Sequence, residues 1–238
     1  MNGLMVHAGG REVTREDLAL ITVPQATESY TPVPHDQLAD TLITIGSDIL
    51  KGHTLDREQY ALAKDGNQFF GVLTFRNDHT EFGLSIGFRN SYDKSMAIGI
   101  AIGAKVFVCD NLALTGDITV LKKHTSNVWA SLENVAISTL YRSRRNFEKI
   151  VEDAELLRGN AIGDTQAFKM LGLLYGKGVL TPRQLPLVKK EWLRPSHDDF
   201  QPRNMWSFYN ACTEAMKSTP PLLVMEKHIR LHDVITGE

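Results

Sequence analysis

The segment from Met96 to Ala104, MAIGIAIGA, is the feature that most constrains the fold of this chain. Side chains alternate across a β-strand, which divides the segment into two faces of opposite character. One face carries large apolar side chains, namely Met96, Ile98, Ile100 and Ile102. The other carries only small residues, namely Ala97, Gly99, Ala101 and Gly103. The large face predicts a core strand, and the bare face requires a close approach by a packed helix or by an extended ligand chain. We expect a helix there, and the long helix that follows in the sequence is the nearest candidate.

Further β-type runs surround this segment and predict a mostly antiparallel meander. The turn signal Asp65-Gly66-Asn67 separates runs at 60–64 and 69–75, which is typical of a hairpin. The predicted strands that extend the hairpin cover 82–89, 96–109 and 117–123.

Helical periodicity flanks the meander on both sides. Thr14 caps a short helix over 14–20, and apolar residues at spacings of four, three and four predict an amphipathic helix from Pro34 to Leu50. After the strands, one long helix is predicted from Trp129 to Arg158, with Gly159 as its stop. The remaining predicted helices cover 164–175, 181–193 with Thr181 as its cap, 204–217 and 222–234.

This order, with strands first and helices last, predicts an α+β fold. We divide the chain into an N-terminal leader and linker (1–33), an α+β core (34–158) and a helical C-terminal region (159–238). With 238 residues, 42% of them hydrophobic and 23% charged, the chain is long and apolar enough to bury a sizeable core.

Charge and cysteine usage limit the classes of partner. The formal net charge of −2 gives no overall attraction to nucleic acid, so such binding requires a local basic patch. Cys109 and Cys212 form no CxxC pair, which favours buried thiols in a reducing compartment. No apolar run approaches the roughly 20 residues of a membrane span, and we expect a cytoplasmic protein of the host cell that does not bind a membrane.

The strongest candidate binding site is a cluster of basic residues. Lys122, Lys123 and His124 end a predicted strand, and Arg142, Arg145 and Lys149 form one stripe of the long helix that follows. Such a stripe can follow a phosphate backbone, and the alternative is an ordinary solvated helix face. The nearby aromatic residues Trp129, Tyr141 and Phe147 could stack on bases, although their spacing fits core packing better.

Three other groups of residues contain side chains of the types used in catalysis or ligand binding, but they are better explained structurally. Cys109 with His124 is the minimum for a thiol nucleophile and its base, but Cys109 follows an apolar run and is expected to be buried. Asn90, Ser91, Asp93 and Ser95 could bind a phosphate or a cation, but they are also the residues that β-turns prefer. His228 and His232 are neighbours on a helix without the glutamate of HExxH, and we interpret them as part of an ordinary helix face.

The usual signatures of several enzyme classes are missing from the sequence. There is no GxxxxGK[ST] loop, no GxGxxG after a strand, no GxSxG elbow and no CxxC pair. A conventional enzyme is therefore disfavoured, and we expect neither a cofactor nor a metal.

Several short motifs resemble those of a phage/plasmid-like protein family that is catalogued as a domain of unknown function. They are Asn90-Ser91 with Asp93 and Ser95, Cys109 with Asn111, Lys123-His124-Thr125, and Trp206-Ser207-Phe208-Tyr209-Asn210-Ala211 followed by Thr213-Glu214. The resemblance covers roughly residues 65 to 235 and implies an origin on a mobile element, without an established activity. The predicted order of elements is also similar to the β-β-β-α core of phage single-strand annealing proteins of the RecT and Erf types, without matching motifs.

These observations lead to three functional hypotheses. The first is a phage- or plasmid-encoded protein that binds single-stranded DNA as a homo-oligomer, a ring or a filament, and acts in annealing or recombination. Its phosphate contacts are Lys122, Lys123, Arg142, Arg145 and Lys149, assisted at the groove edge by Arg89 and His124. The second hypothesis is a counter-defence protein that binds a host protein. The third is a small enzyme that uses Asp93, Cys109 and His124.

Overall fold

The computed structural model describes residues 10–77, 82–106, 111–125, 127–219 and 221–237. Six strands form one antiparallel sheet in the order of the sequence: β1 (Arg11–Val13), β2 (Thr54–Ala63), β3 (Gln68–Arg76), β4 (Phe82–Ser91), β5 (Ile98–Val106) and β6 (Asn111–Lys122). The helices are α1 (Arg15–Ala19), α2 (His35–Ile49), α3 (Val128–Gly159), α4 (Asp164–Gly176), α5 (Leu185–Leu193), α6 (Met205–Met216) and α7 (Pro221–Thr236). The predicted α+β class, with its meander, its preceding and following helices and its helical C-terminal part, is confirmed.

Capping and turn residues determine where the N-terminal elements begin and end. Thr14 caps α1 in a reciprocal box with Asp17, as predicted. The hairpin of β2 and β3 turns through Lys64, Asp65 and Gly66, all with positive φ. The leader differs from the prediction of a loose segment, because Arg11–Val13 pairs with β2 as an edge strand.

One surface of the sheet, here called the first face, carries the main core. Its side chains come from alternate positions of the central strands and pack against α2 and α3; they include Phe69, Leu73, Phe75, Leu84, Ile86, Phe88, Ile98, Ile100 and Ile102. The Phe88 ring lies directly over Gly71 of the neighbouring strand, where a Cβ atom would come within 2.4 Å of it. This close contact explains the glycine in the middle of a buried strand.

The opposite surface, the second face, carries the small residues of β5 and is covered by a helix, though not by the one we expected. Ala101 forms a small apolar cluster with Ala61, Phe70 and Val72 of the sheet and with Val224 and Met225 of α7. The long helix α3 instead packs on the isoleucine face of β5. Proximity in sequence favoured α3, but the large isoleucines offer more apolar area to the longest helix.

Helix α3 is longer than the strands of the sheet. Its 32 residues correspond to a length of about 48 Å, whereas a ten-residue strand is about 33 Å long. Near its C-terminus the Arg158 guanidinium lies over the rings of Phe82 and Trp206, at 5.5 and 5.7 Å. The N-terminus of α6 therefore packs at the end of the sheet where β4 begins.

The C-terminal helices follow the predicted pattern with one correction. Asn204 caps α6 by accepting a hydrogen bond from the Ser207 N–H. Helix α5 begins at Leu185 and not after Thr181, because the Thr181 N–H and hydroxyl both bond to the Gln184 side chain and form a turn instead. The Thr-Pro pair thus precedes the helix as a turn.

Candidate nucleic-acid interface

A cleft opens between the middle of α3 and the turn that joins α2 to β2. Its volume is about 350 Å³, and its lining comprises Ile49, Leu50, Lys51, His53, Asn77, Leu84, Leu140, Tyr141, Phe147 and Glu148. The turn forms because α2 ends at Ile49 and Gly52, with φ of 84°, reverses the chain into β2. Leu84 of β4 and Leu140 of α3 give the cleft an apolar floor.

Tyr141 stands at this cleft with 71% of its surface exposed. The spacing of the aromatic residues in the sequence favoured packing in the core. Phe147 does pack there and is 8% exposed, whereas Tyr141 does not. Tyr141 is exposed because Leu140, which precedes it, occupies the helix position that faces the sheet. An exposed tyrosine ring beside an apolar cleft is able to stack on a flat ligand.

The predicted basic stripe lies next to Tyr141 on the outer side of α3. Arg142 and Arg145 are exposed, and neither forms an ion pair within the described parts of the chain. Arg145 is one turn from Tyr141, and Lys149, half-buried, continues the stripe by a further turn. Lys51, also exposed, adds a cation from the opposite wall of the cleft. The cleft itself is therefore lined by one exposed ring, Tyr141, one exposed cation, Lys51, and one carboxylate, Glu148, whereas Arg142 and Arg145 lie beside Tyr141 on α3 outside the lining.

Lys122, Lys123 and His124 lie far from this cleft. Fourteen residues of α3 separate its start at Val128 from Arg142, a distance of about 21 Å along the helix. Lys123 is exposed, and the side chain of Lys122 lies outside the described part of the structure. The basic residues thus form two separate groups and not one.

His124 is part of the packing at that end of the sheet. Only 8% of it is exposed, its Nδ1 lies 3.3 Å from the Thr31 carbonyl, and its ring lies 5.2 Å from that of Tyr30. Burial lowers the pKa of His124, so the ring is neutral at pH 7. A buried neutral imidazole is a poor phosphate contact.

Arg89 also lies away from the cleft. Its side chain is 7% exposed on the second face, where it pairs with Glu226 of α7. The expectation that Arg89 assists at a groove edge does not fit this position. Alternation along β4 explains the difference, because Phe88 takes the first face and Arg89 must point the opposite way.

In the polar motif at the end of β4, Asp93 and Ser95 form a turn, as the sequence indicated, whereas Asn90 and Ser91 are the last two residues of the strand and not turn residues. Asp93 accepts hydrogen bonds from the Ser95 N–H and hydroxyl and from Gln68, and Lys94 has a φ of 60°. Burial alone would raise the pKa of Asp93, but the hydrogen bonds from Ser95 and Gln68 outweigh it and lower the pKa.

A buried network behind this turn was missed in the sequence. His35 Nε2 donates to the Gly66 carbonyl at 3.0 Å, Nδ1 accepts from the Asn90 amide at 3.0 Å, and the Tyr92 ring stacks on the imidazole at 4.0 Å. The Asn90 amide also donates to the Val33 carbonyl. The network therefore fixes the linker before α2 onto the end of the sheet, and no local pattern in the sequence indicates it.

Of the hypothetical Asp93–Cys109–His124 site, the structure describes Asp93 and His124. Cys109 itself lies outside the described residues. The hypothesis of a small enzyme that uses these three residues therefore stays a prediction.

His228 and His232 are buried and do not belong to an exposed helix face. They are 0% and 2% exposed, and His232 Nε2 lies 3.3 Å from Asp153 of α3. This contact joins α7 to α3, and helical spacing alone does not reveal it. Cys212 is also buried, as expected, and burial raises the pKa of its thiol.

Comparisons with family models, curated proteins and solved structures found no match. The resemblances noted from the sequence therefore remain resemblances. Among the residues that the structure describes, no three His, Cys, Asp or Glu side chains are grouped to hold a metal ion. Within the same described ranges, none of the helices has the length and apolar character needed to span a membrane.

Proposed function

We propose that this protein binds single-stranded DNA along the outer side of α3, with the cleft at Tyr141 as the site for unpaired bases. We further propose that it acts as a homo-oligomer in annealing or recombination on a phage or plasmid, the origin that its motifs imply. The observation that carries the proposal is the Tyr141 ring, which lines the cleft with 71% of its surface exposed, on a stretch of α3 that also carries the exposed Arg142 and Arg145.

The chemistry of the cleft matches the two parts of a nucleotide. Aromatic side chains stack on bases without regard to sequence, and arginines contact phosphates. Tyr141 supplies the ring, while Arg142 and Arg145 supply cations on adjacent positions of the same helix. A cleft of about 350 Å³ is at the lower end of ligand-site volumes, which suits one base at a time.

The overall charge supports a local mode of binding. A net charge of −2 gives no general affinity for DNA, so Lys51 at the cleft and the exposed arginines beside Tyr141 on α3 have to provide it. Lys123 and the buried His124 precede the start of α3, which is about 21 Å along the helix from Arg142, and are not part of this contact.

Binding of a labelled oligodeoxythymidine, measured by fluorescence anisotropy over a range of salt concentrations, tests the proposal. Replacing Arg142 and Arg145 by Ala should weaken binding and reduce the slope of log K against log salt by about 0.7 for each lost phosphate contact. The matched control is Arg183→Ala with Lys189→Ala, two exposed cations without a described ion pair, and it should change neither quantity.

Tyr141 is tested in the same assay by a pair of substitutions. Tyr141→Ala should weaken binding by about 1–3 kcal/mol, because it removes a stacking surface. Tyr141→Phe keeps the ring and should bind almost as wild type. Equal affinity of wild type and Tyr141→Ala, or no binding at low salt, would overturn the proposal and leave the host-protein hypothesis ahead.

A further inference from the structure

Helix α4 exposes far more apolar surface than a solvated helix normally does. Seven of its 13 residues are apolar, yet only Ala167 and Leu174 are buried. Phe168, Leu173 and Tyr175 are 40%, 45% and 48% exposed. Exposed aromatic and leucine side chains in such number on one short helix normally pack against protein.

Part of this apolar surface forms a defined stripe, here called the α4 face. It consists of the exposed Phe168, Gly172 and Tyr175 and of Leu171, which is half-buried against the core. At Gly172 a Cβ atom would have no neighbour within 4 Å, so the stripe has a notch between its two aromatic rings. Exposed Lys169 and Lys177 flank the stripe without an ion pair among the described residues.

A second unpartnered surface lies on the C-terminal part of α3. This α3 patch is a broad shallow groove around Leu156, which is 72% exposed, and it includes Glu152, Glu155 and Gly159. These four residues share one helical stripe. Glu155 also pairs with Arg158, whose guanidinium is turned towards the Phe82 and Trp206 rings. The exposed rim of the patch thus carries two carboxylates, of which Glu155 is paired with Arg158 and Glu152 has no ion pair among the described residues.

We propose that the α4 face of one copy binds the α3 patch of a second copy. The two stripes each span eight residues, about 10 Å from first to last along the helix, and both have an apolar centre. Their charges are complementary, with lysines beside the α4 face and glutamates beside the α3 patch, which selects this pairing over α4 with α4. The inference rests on the homo-oligomer of the proposed function and names its interface.

The symmetry of the contact follows from the two different surfaces. Each chain carries one α4 face and one α3 patch, so the contact is head-to-tail and each copy can bind two neighbours. Such an interface closes into a ring or continues as a filament, depending on the rotation between copies.

Two substitutions test the interface by analytical ultracentrifugation. Phe168→Asp and Leu156→Asp each place a charge at the centre of one surface, so wild type should form higher oligomers whereas each variant alone should sediment as a monomer. Both side chains are exposed, so thermal melts should match wild type. Leu20→Asp, at a residue 80% exposed elsewhere, is the control and should leave assembly unchanged.

Mixing the two variants distinguishes the proposed contact from other dimers. The Phe168→Asp chain keeps its α3 patch and the Leu156→Asp chain keeps its α4 face, so an equimolar mixture should give one-to-one heterodimers that grow no further. A monomeric wild-type protein would overturn the inference. A Leu156→Asp variant that still assembles would also overturn it, in favour of α4 pairing with itself.

The outcome is separable from that of the DNA-binding proposal. Tyr141→Ala should assemble as wild type does, because Tyr141 belongs to neither surface. A monomeric protein that still binds DNA through Tyr141 would contradict the interface and the proposed homo-oligomer but not the DNA-binding cleft, and an oligomer that binds no DNA would contradict only the cleft.

Discussion

His35 shows how one buried residue couples the linker to the sheet and to pH. Its two ring nitrogens have opposite roles, since Nε2 donates to the Gly66 carbonyl and Nδ1 accepts from the Asn90 amide. These partners fix the neutral tautomer. Burial lowers the pKa of His35 to about 4, and its position in the first turn of α2 also disfavours a positive charge.

The lowered pKa predicts a loss of stability in mild acid. The unfolded chain binds a proton near the ordinary pKa of 6.5, whereas the folded chain does so only near 4, so the unfolded state holds more protons between these values. The contribution of neutral His35 to the free energy of unfolding is complete above pH 6.5. It falls by about 3 kcal/mol as the pH drops to 4.

Urea denaturation from pH 4 to 7 checks this expectation. His35→Gln removes the titrating ring, so its free energy of unfolding should depend less steeply on pH than that of wild type. The carboxylates titrate in both proteins and cancel in the comparison. Parallel curves for the two proteins would show that His35 does not titrate with the lowered pKa.

At the scale of elements, sequence patterns predicted the helices and strands better than the packing partners. The alternation of Met96–Ala104 identified both faces of β5, and the spacing along α3 identified the stripe of Arg142 and Arg145. Neither pattern shows which helix covers which face. That choice depends on the long-range packing of α7 on the second face of the sheet, which no local signal contains.

The packing of α7 on the small-residue face of the sheet is tested by enlarging a buried side chain there. Ala101 is fully buried in the cluster with Val224 and Met225 of α7, so Ala101→Val should overpack this layer and destabilise the fold by about 1–3 kcal/mol. Ala97→Val, at a half-buried position just before β5, is the matched control and should have a small effect. Equal melting temperatures for Ala101→Val and wild type would mean that α7 does not pack closely there.

At the scale of the molecule, the length of α3 explains why the predicted basic site consists of two separate groups of residues. Lys122, Lys123 and His124 lie where α3 begins, whereas Arg142 and Arg145 lie in its middle, beside the cleft under Tyr141. The sequence identified the two arginines, but it underestimated Tyr141, because exposure depends on how α2 and its turn approach α3. Arg89 and His124 were plausible by type and are excluded from the cleft by burial.

Photocrosslinking is the most direct test of the Tyr141 cleft. An oligonucleotide with 5-bromodeoxyuridine in place of thymidine is bound, irradiated and digested together with the protein, and mass spectrometry locates the adduct. We expect the adduct on the peptide that contains Tyr141, and its loss in Tyr141→Ala. An adduct confined to another part of the chain, with the Tyr141 peptide unmodified, would contradict the proposed cleft.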